Sequence, residues 1–152
     1  MEKLEIINLL LKNKKLDFNV KNFHKYEFSR ENHISEGYIK KLTAFQFAIE
    51  EEKDDIIHIF ITSENLPIDI NVKSYFFTYE GNVKENKSKK TLLYLAVENR
   101  NIDVLRFLLA KEGIDVNQKS TFITNGQIEE KTPLELAQDK GFTDIIEIMK
   151  IK

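Results

Sequence analysis

The chain has no cysteine, two prolines and five glycines among its 152 residues. Absence of cysteine removes disulfides, thiolate metal sites and thiol nucleophiles together. Five glycines leave few places where a tight backbone can wrap a phosphate, which argues against nucleotide-loop chemistry. No apolar run approaches membrane-span length, and Met1-Glu2-Lys3 does not open a secretory signal, so the expected setting is soluble, intracellular and cytoplasmic. Charge of either sign is not in excess: 23 Lys and Arg stand against 25 Asp and Glu, a net charge of -2, where a dedicated nucleic-acid binder carries a basic surplus. What is present is a globular composition, 41% hydrophobic and 32% charged, rich in Ile and Phe, in a length that suits one domain.

Internal self-similarity is the strongest signal. Thr43-Ala44-Phe45-Gln46-Phe47-Ala48, Thr91-Leu92-Leu93-Tyr94-Leu95-Ala96 and Thr132-Pro133-Leu134-Glu135-Leu136-Ala137 share one frame: Thr, any residue, apolar, any residue, apolar, Ala. Eight residues beyond each Ala a second apolar patch begins: Ile56 to Phe60, Val104 to Leu108 and Ile145 to Met149. Two of the blocks then close on Ile68-Asp69-Ile70-Asn71 and Ile114-Asp115-Val116-Asn117, and the opening segment, Ile6 to Leu11 followed by Leu16-Asp17-Phe18-Asn19, reads as a partial copy. Each Thr stands where a helix N-cap belongs, and Pro133 follows Thr132 at the first helical position, where a missing N–H costs nothing. The small Ala lets a neighbouring helix approach. Asn99 and Gly141 suit the break between two short helices, and the Asp-x-Asn pairs are turn formers that lead the chain away.

This frame resembles the ankyrin repeat across nearly the whole chain. It departs from that pattern in places. Pro follows Thr only at Pro133, the frequent His is replaced by Gln46, Tyr94 and Glu135, and the Gly between the two helices survives only as Gly141, with Glu52 and Arg100 at the other two positions. The resemblance implies an α-helical repeat solenoid of helix-turn-helix units. The expected division is a single domain, 1–152, made of a partial repeat 1–19, long-fingered repeats 20–71 and 72–117, and a C-terminal repeat 118–152. Residues 4–16 are expected to be a lone second helix.

The units are longer than the ordinary length of about 33 residues. Forty-eight positions separate Thr43 from Thr91 and forty-one separate Thr91 from Thr132, with the excess between each Asn and the next Thr. Ten of the 16 Phe and Tyr residues lie in 17–42, 69–90 and 115–131. These stretches are therefore read as elongated β-hairpin fingers lying side by side rather than as loose linkers. Asn125-Gly126 supplies the positive-φ pair of a type I′ turn, which sets Ile123 opposite Ile128. Val72 to Tyr79, a turn at Glu80-Gly81-Asn82 and a return from Val83 form a second hairpin. In the first finger the turn is open between Ser29–Asn32 and Glu36-Gly37.

Candidate chemistry is sparse. His58 sits on a repeat helix, while His24 and His33 lack carboxylates at ligand spacing, so no metal or cofactor site is expected. No Ser or Thr has a nucleophile elbow or an activating His, and Glu50-Glu51-Glu52 with Asp54-Asp55 reads as a solvated helix end and helix start. No enzyme, no catalytic residue and no small-molecule substrate is expected.

The resemblance implies a non-catalytic module that binds another protein through its fingers and inner helices. The residues chosen for that role are Tyr26, Phe28, Tyr75, Phe77, Tyr79, Lys84 and Phe122 on the fingers, with Tyr94 and Glu135 on the inner helices. Whether Tyr75, Phe77 and Tyr79 pack on neighbouring fingers or stay open is left undecided by alternation alone. Two other readings stand beside it. Lys84, Lys87, Lys89 and Lys90 suit an anion-binding arm for a lipid headgroup or nucleic acid, and exposed finger edges suit a homo-oligomer.

Overall fold

The computed structural model describes residues 17–29, 35–63, 66–80 and 84–151, with residues 23, 24, 26–29, 35, 36, 80 and 84 described by backbone only. The predicted helix over 4–16 lies outside the described residues.

Three helix pairs follow the three Thr frames: α1 (Ala44–Glu50) with α2 (Asp54–Thr62), α3 (Leu92–Glu98) with α4 (Ile102–Ala110), and α5 (Pro133–Asp139) with α6 (Thr143–Lys150). Each first helix is started by its Thr, whose hydroxyl accepts the backbone N–H three residues on: Gln46 at 3.2 Å, Tyr94 at 3.0 Å and Glu135 at 3.2 Å. Gln46 and Glu135 reach back to the N–H of Thr43 and Thr132, completing capping boxes. Each first helix ends alike. The N–H of Lys53, Asn101 and Phe142 donates to the carbonyl of Ala48, Ala96 and Ala137, through a residue in the left-handed region. That residue is Gly141 in the last pair, but Glu52 (φ 49°) and Arg100 (φ 50°) in the others. The turn is thus kept where its glycine has been lost, against a left-handed cost of roughly 1–2 kcal/mol for a residue with a Cβ.

The first helices α1, α3 and α5 pack in a row, and the second helices α2, α4 and α6 pack in a parallel row behind them. The core lies between the rows. Ala48, Ala96 and Ala137 are fully buried, as are Leu92, Leu95, Leu105, Leu108 and Ile145, while Phe45 stacks on Phe60 with ring centroids 4.9 Å apart. Asp54 and Asp55 occupy the first turn of α2, where carboxylates favour the helix dipole.

Six strands precede and separate the helix pairs: β1 (Asn22–Ser29), β2 (Ser35–Leu42), β3 (Tyr75–Glu80), β4 (Lys84–Lys89), β5 (Ser120–Thr124) and β6 (Gln127–Lys131). They form three antiparallel hairpins, and the hairpins join into one six-stranded sheet in sequence order. Pairing of β2 with β3 (Ile39 opposite Phe77) and of β4 with β5 (Lys87 opposite Ile123) makes the joins. The first hairpin pairs Ser29 with Ser35, so Glu36-Gly37 lies within β2 and is not its turn. The last hairpin turns on Asn125 (φ 50°) and Gly126 (φ 79°), and Ile123 faces Ile128 as its type I′ turn requires. β3 begins at Tyr75, later than the expected Val72, because Lys73 makes only an isolated bridge to Thr91.

Between hairpin and helix pair, the Asp-x-Asn turns also bind one repeat to the next. The Asn19 amide donates to the Pro67 carbonyl (2.7 Å) and accepts from the Asp69 N–H (2.7 Å). Asn71 repeats the pattern one unit on, with the Gly113 carbonyl (2.8 Å) and the Asp115 N–H (3.0 Å). One side chain thereby satisfies two backbone groups of the neighbouring turn.

Candidate functional site

Strand alternation divides the sheet into two faces. The inner face turns toward the first helices. Lys40, Phe76, Ser88, Phe122 and Glu129 form one cross-strand row on it, beside Tyr38. The Phe122 ring lies 5.4 Å from that of Tyr94 on α3, and Tyr38 lies 5.9 Å from Phe76. The Lys40 ammonium sits 5.7 Å from both the Tyr38 and the Phe76 ring centroids.

Three ion pairs cross from this face to the ends of the first helices: Lys40 to Glu50 at 2.9 Å, Lys90 to Glu98 at 2.7 Å and Lys131 to Asp139 at 2.7 Å. The acid is seven residues beyond the capping Thr in every repeat, so one brace is built three times. Each pair is partly exposed and contributes no more than about 1 kcal/mol. Its value lies in fixing the angle between hairpin and helix. Burial pulls the Lys40 ammonium down, but its bonds to Glu50 and the field of Glu51 leave it above the ordinary lysine value. Hydrogen bonds from Lys131 to Asp139 and Glu129 hold that ammonium well above its ordinary value. Burial, with the nearby Glu98 carboxylate, pushes the Tyr94 phenol up to about 12, so it stays neutral and its O–H remains a donor. A cleft of about 200 Å³ lies between sheet and helices, lined by Lys40, Glu50, Phe76, Lys90, Glu98 and Asn99.

The outer face carries the other set. Ile39, Phe77, Lys87, Ile123 and Ile128 form one row; beside it Lys41 pairs with Tyr75, and Lys89, Thr121 and Glu130 follow one another across β4, β5 and β6. Phe77 stacks on Tyr79 with centroids 5.9 Å apart, Lys87 lies 5.3 Å over Phe77, and Lys41 lies 6.0 Å from Tyr75. Tyr75, Phe77 and Tyr79 are half-buried, while Ile128 is 70% exposed.

The structure therefore brings Tyr75, Phe77 and Tyr79 together on one face and sets Phe122 with Tyr94 on the other. Tyr94 is itself buried, at 4% exposure. Tyr26 and Phe28 lie in β1 opposite Tyr38 and Glu36, and Lys84 lies in β4 opposite Glu80; their side chains fall outside the described residues. Glu135 is exposed, but its carboxylate is engaged by the Thr132 N–H at 2.7 Å and the Thr132 hydroxyl at 2.9 Å, which hold it below the ordinary carboxylate range. Within the lysine run, Lys87 pairs with Glu85 at 2.9 Å and Lys90 with Glu98. Tyr38, Lys40 and Phe76 belong to the inner face and are not among the residues chosen from sequence, while Lys90, assigned there to the anion-binding arm, pairs with Glu98 on the inner face instead. The acid recurring seven positions after each Thr marks the helix side of the braces, but no sequence signal marks Tyr38 or Phe76.

Of the histidines, His58 is exposed on α2, His24 is in β1 and His33 lies outside the described residues. Among the described residues no three His, Asp or Glu side chains gather where they could hold a metal ion. No helix among them is long and apolar enough to cross a membrane.

Comparison with known proteins agrees with the repeat geometry. Alpha-latrotoxin-Lg1a of Latrodectus geometricus is 29% identical over 126 residues, 83% of this chain and 7% of the toxin. Alpha-latrotoxin-Lt1a of Latrodectus tredecimguttatus is 36% identical over 69 residues, 45% of this chain and 4% of that protein. The chain thus spans less than a tenth of the length of either relative. No solved structure matches it. The family model described as ankyrin repeats (3 copies) matches residues 1–120. The Thr132 cap and the α5–α6 pair carry the same frame beyond that limit. This chain belongs to the ankyrin-repeat family.

Proposed function

We propose that the chain is a non-catalytic protein-interaction module, a single domain, 1–152, whose repeats 1–19, 20–71, 72–117 and 118–152 stack as an α-helical solenoid and hold a partner on long β-hairpin fingers. Ankyrin repeats are generally protein-interaction modules and typically non-catalytic. The observation that carries the reading is the state of the finger aromatics. Tyr38, Tyr75, Phe76, Phe77, Tyr79 and Phe122 are all half-buried, on a sheet braced to the helices by three repeated ion pairs. Rings held rigid yet partly open lose little freedom on binding and offer large contact area. Cytoplasmic residence belongs to the same reading and is supported by the lack of cysteine.

The reading as an anion-binding arm is less well supported, because the described lysines of the 84–90 run do not form one cluster: Lys87 and Lys89 lie on the outer face of the sheet, while Lys90 pairs with Glu98 on the inner side. Pull-down of partners from native cell extract, followed by mass spectrometry, tests the proposal. Replacing Tyr75, Phe77 and Tyr79 with Ser is expected to deplete the captured protein at least tenfold, while Arg106→Ala, on the exposed side of α4, leaves it unchanged. Equal capture by both variants contradicts the proposal, and capture of lipid vesicles that disappears at moderate salt favours the arm instead.

A further inference from the structure

Ankyrin-family partners are expected against the fingers and inner helices, but in this chain the inner face of the sheet is crossed by ion pairs and the outer face is not built that way. On the outer side, the hairpins merge into one six-stranded surface with its own depression. A cleft of about 290 Å³ opens across β3, β4 and β5, lined by Tyr75, Lys87, Ser88, Lys89, Thr121 and Ile123. Register explains its shape. Lys89 stands opposite Thr121 and Lys87 opposite Ile123, while Tyr75 and Lys89 flank the paired Phe76 and Ser88 on neighbouring strands. An aromatic wall and an aliphatic wall thus flank two ammonium groups and a hydroxyl.

Resting on the interaction reading above, we propose that this outer face binds an acidic segment of a partner protein, with a carboxylate seated between Lys87 and Lys89 and an adjoining apolar or aromatic side chain between Tyr75 and Ile123. Charge selects this occupant. Lys87 and Lys89 line the cleft and Lys41 and Lys119 lie beside it, against two carboxylates, Glu85 bonded to Lys87 at 2.9 Å and Glu130 near Lys119 at 3.6 Å, so among these described residues ammonium groups outnumber acids on this face. A second copy meeting this face would set those lysines against their own equivalents, and like charges opposed across an interface are costly. Single-stranded nucleic acid binds sheet aromatics by stacking its bases on their open ring faces. Here Lys87 already lies over Phe77 and Lys41 lies beside Tyr75, so a base would have to displace an ammonium that an acidic side chain would instead meet. The cleft is the size of one or two side chains rather than of a whole small ligand, which suits an anchor on a longer segment. Ile128, 70% exposed at the end of the same cross-strand row, extends the apolar part of the surface.

The test uses the full chain and three probes: a random copolymer of Glu and Tyr, poly-Glu, and an oligothymidine, with binding followed by fluorescence anisotropy. The copolymer is expected to bind about tenfold more tightly than poly-Glu, and the oligothymidine more weakly than either. Lys87→Gln combined with Lys89→Gln should weaken copolymer binding about tenfold, and Ile123→Ser several-fold, with the thermal transition of each variant recorded to confirm folding. Should the paired variant fold poorly, amide shifts of Lys87, Lys89, Thr121 and Ile123 in the wild-type chain on adding copolymer give the same answer. Equal binding of both polyacids, binding unaltered by the lysine changes, or oligothymidine as the tightest probe would each overturn the inference. Loss of the extract partner through inner-face changes alone, with Lys87→Gln and Lys89→Gln harmless, would overturn it while leaving the interaction module standing.

Discussion

The helix rows and the hairpin sheet are built from the same repeat but are stabilised in different ways. In α3 every residue from Leu92 to Val97 is buried, and each Thr frame supplies its own cap, small contact residue and turn. Along β3 every described side chain from Tyr75 to Tyr79 is only half-buried. The sheet is held by backbone register, by one type I′ turn, and by Lys–acid braces to the helices. The lesson is a division of labour. Volume fixed by the Thr-to-Ala frame leaves little room for change in the helices, while a ladder of backbone hydrogen bonds accepts many side chains on its two faces. Length and composition of the fingers vary between repeats, 48 positions in one unit and 41 in the next, because the frame does not depend on them.

The comparison can be broken most forcefully in the core. Leu105→Ala removes a fully buried side chain between the helix rows and is expected to cost about 2–5 kcal/mol by urea denaturation. A cost below about 1 kcal/mol would show that the rows are not the stabilising element. At the joint between the regions, Asn71→Ala leaves the Gly113 carbonyl and the Asp115 N–H without their partner, at a cost of about 1–3 kcal/mol. The exposure of that turn places the result toward the lower end. Glu52→Gly relieves a left-handed residue and is expected to raise stability by up to about 1 kcal/mol, since strain relief is partly offset by glycine's greater unfolded freedom.

The smallest effect concerns acid. The bonds from the Thr132 backbone and hydroxyl lower the Glu135 pKa, so its contribution is present above the ordinary carboxylate value and is lost as pH falls through the folded value. Glu135→Gln keeps the capping box, as Gln46 does in the first repeat, and should make the melting temperature fall less steeply as pH drops below the ordinary carboxylate value. An unchanged acid limb would show that the cap does not sense this carboxylate.

Much of the helical region is legible in sequence because its determinants are local. Thr43, Thr91 and Thr132 each act within four residues, and Ala48, Ala96 and Ala137 are buried through a frame that repeats without gaps. Asn125-Gly126 likewise decides its own turn and so the Ile123–Ile128 pair. The joins between hairpins are not local. Nothing near Ile39 dictates that it should face Phe77 across a separation of 38 positions, and nothing local to Ser29 dictates that it should lie opposite Ser35. The braces were hidden for the same reason. Lys90 and Glu98 lie eight residues apart, yet they meet only because the strand crosses the end of the helix that follows it. Tyr94 and Glu135 illustrate the cost of reading roles by position alone. Both occupy the third helical position, but one is buried against Phe122 and the other closes a cap.

The proposed division between a stabilising stack and a recognising sheet is tested most directly by the triple variant Tyr75→Ser, Phe77→Ser and Tyr79→Ser. Its urea unfolding should remain a single cooperative helical transition, displaced far less than that of Leu105→Ala, while partner capture is lost. Loss of helical signal in the native buffer would contradict the account, because those three rings would then be part of what holds the helices together.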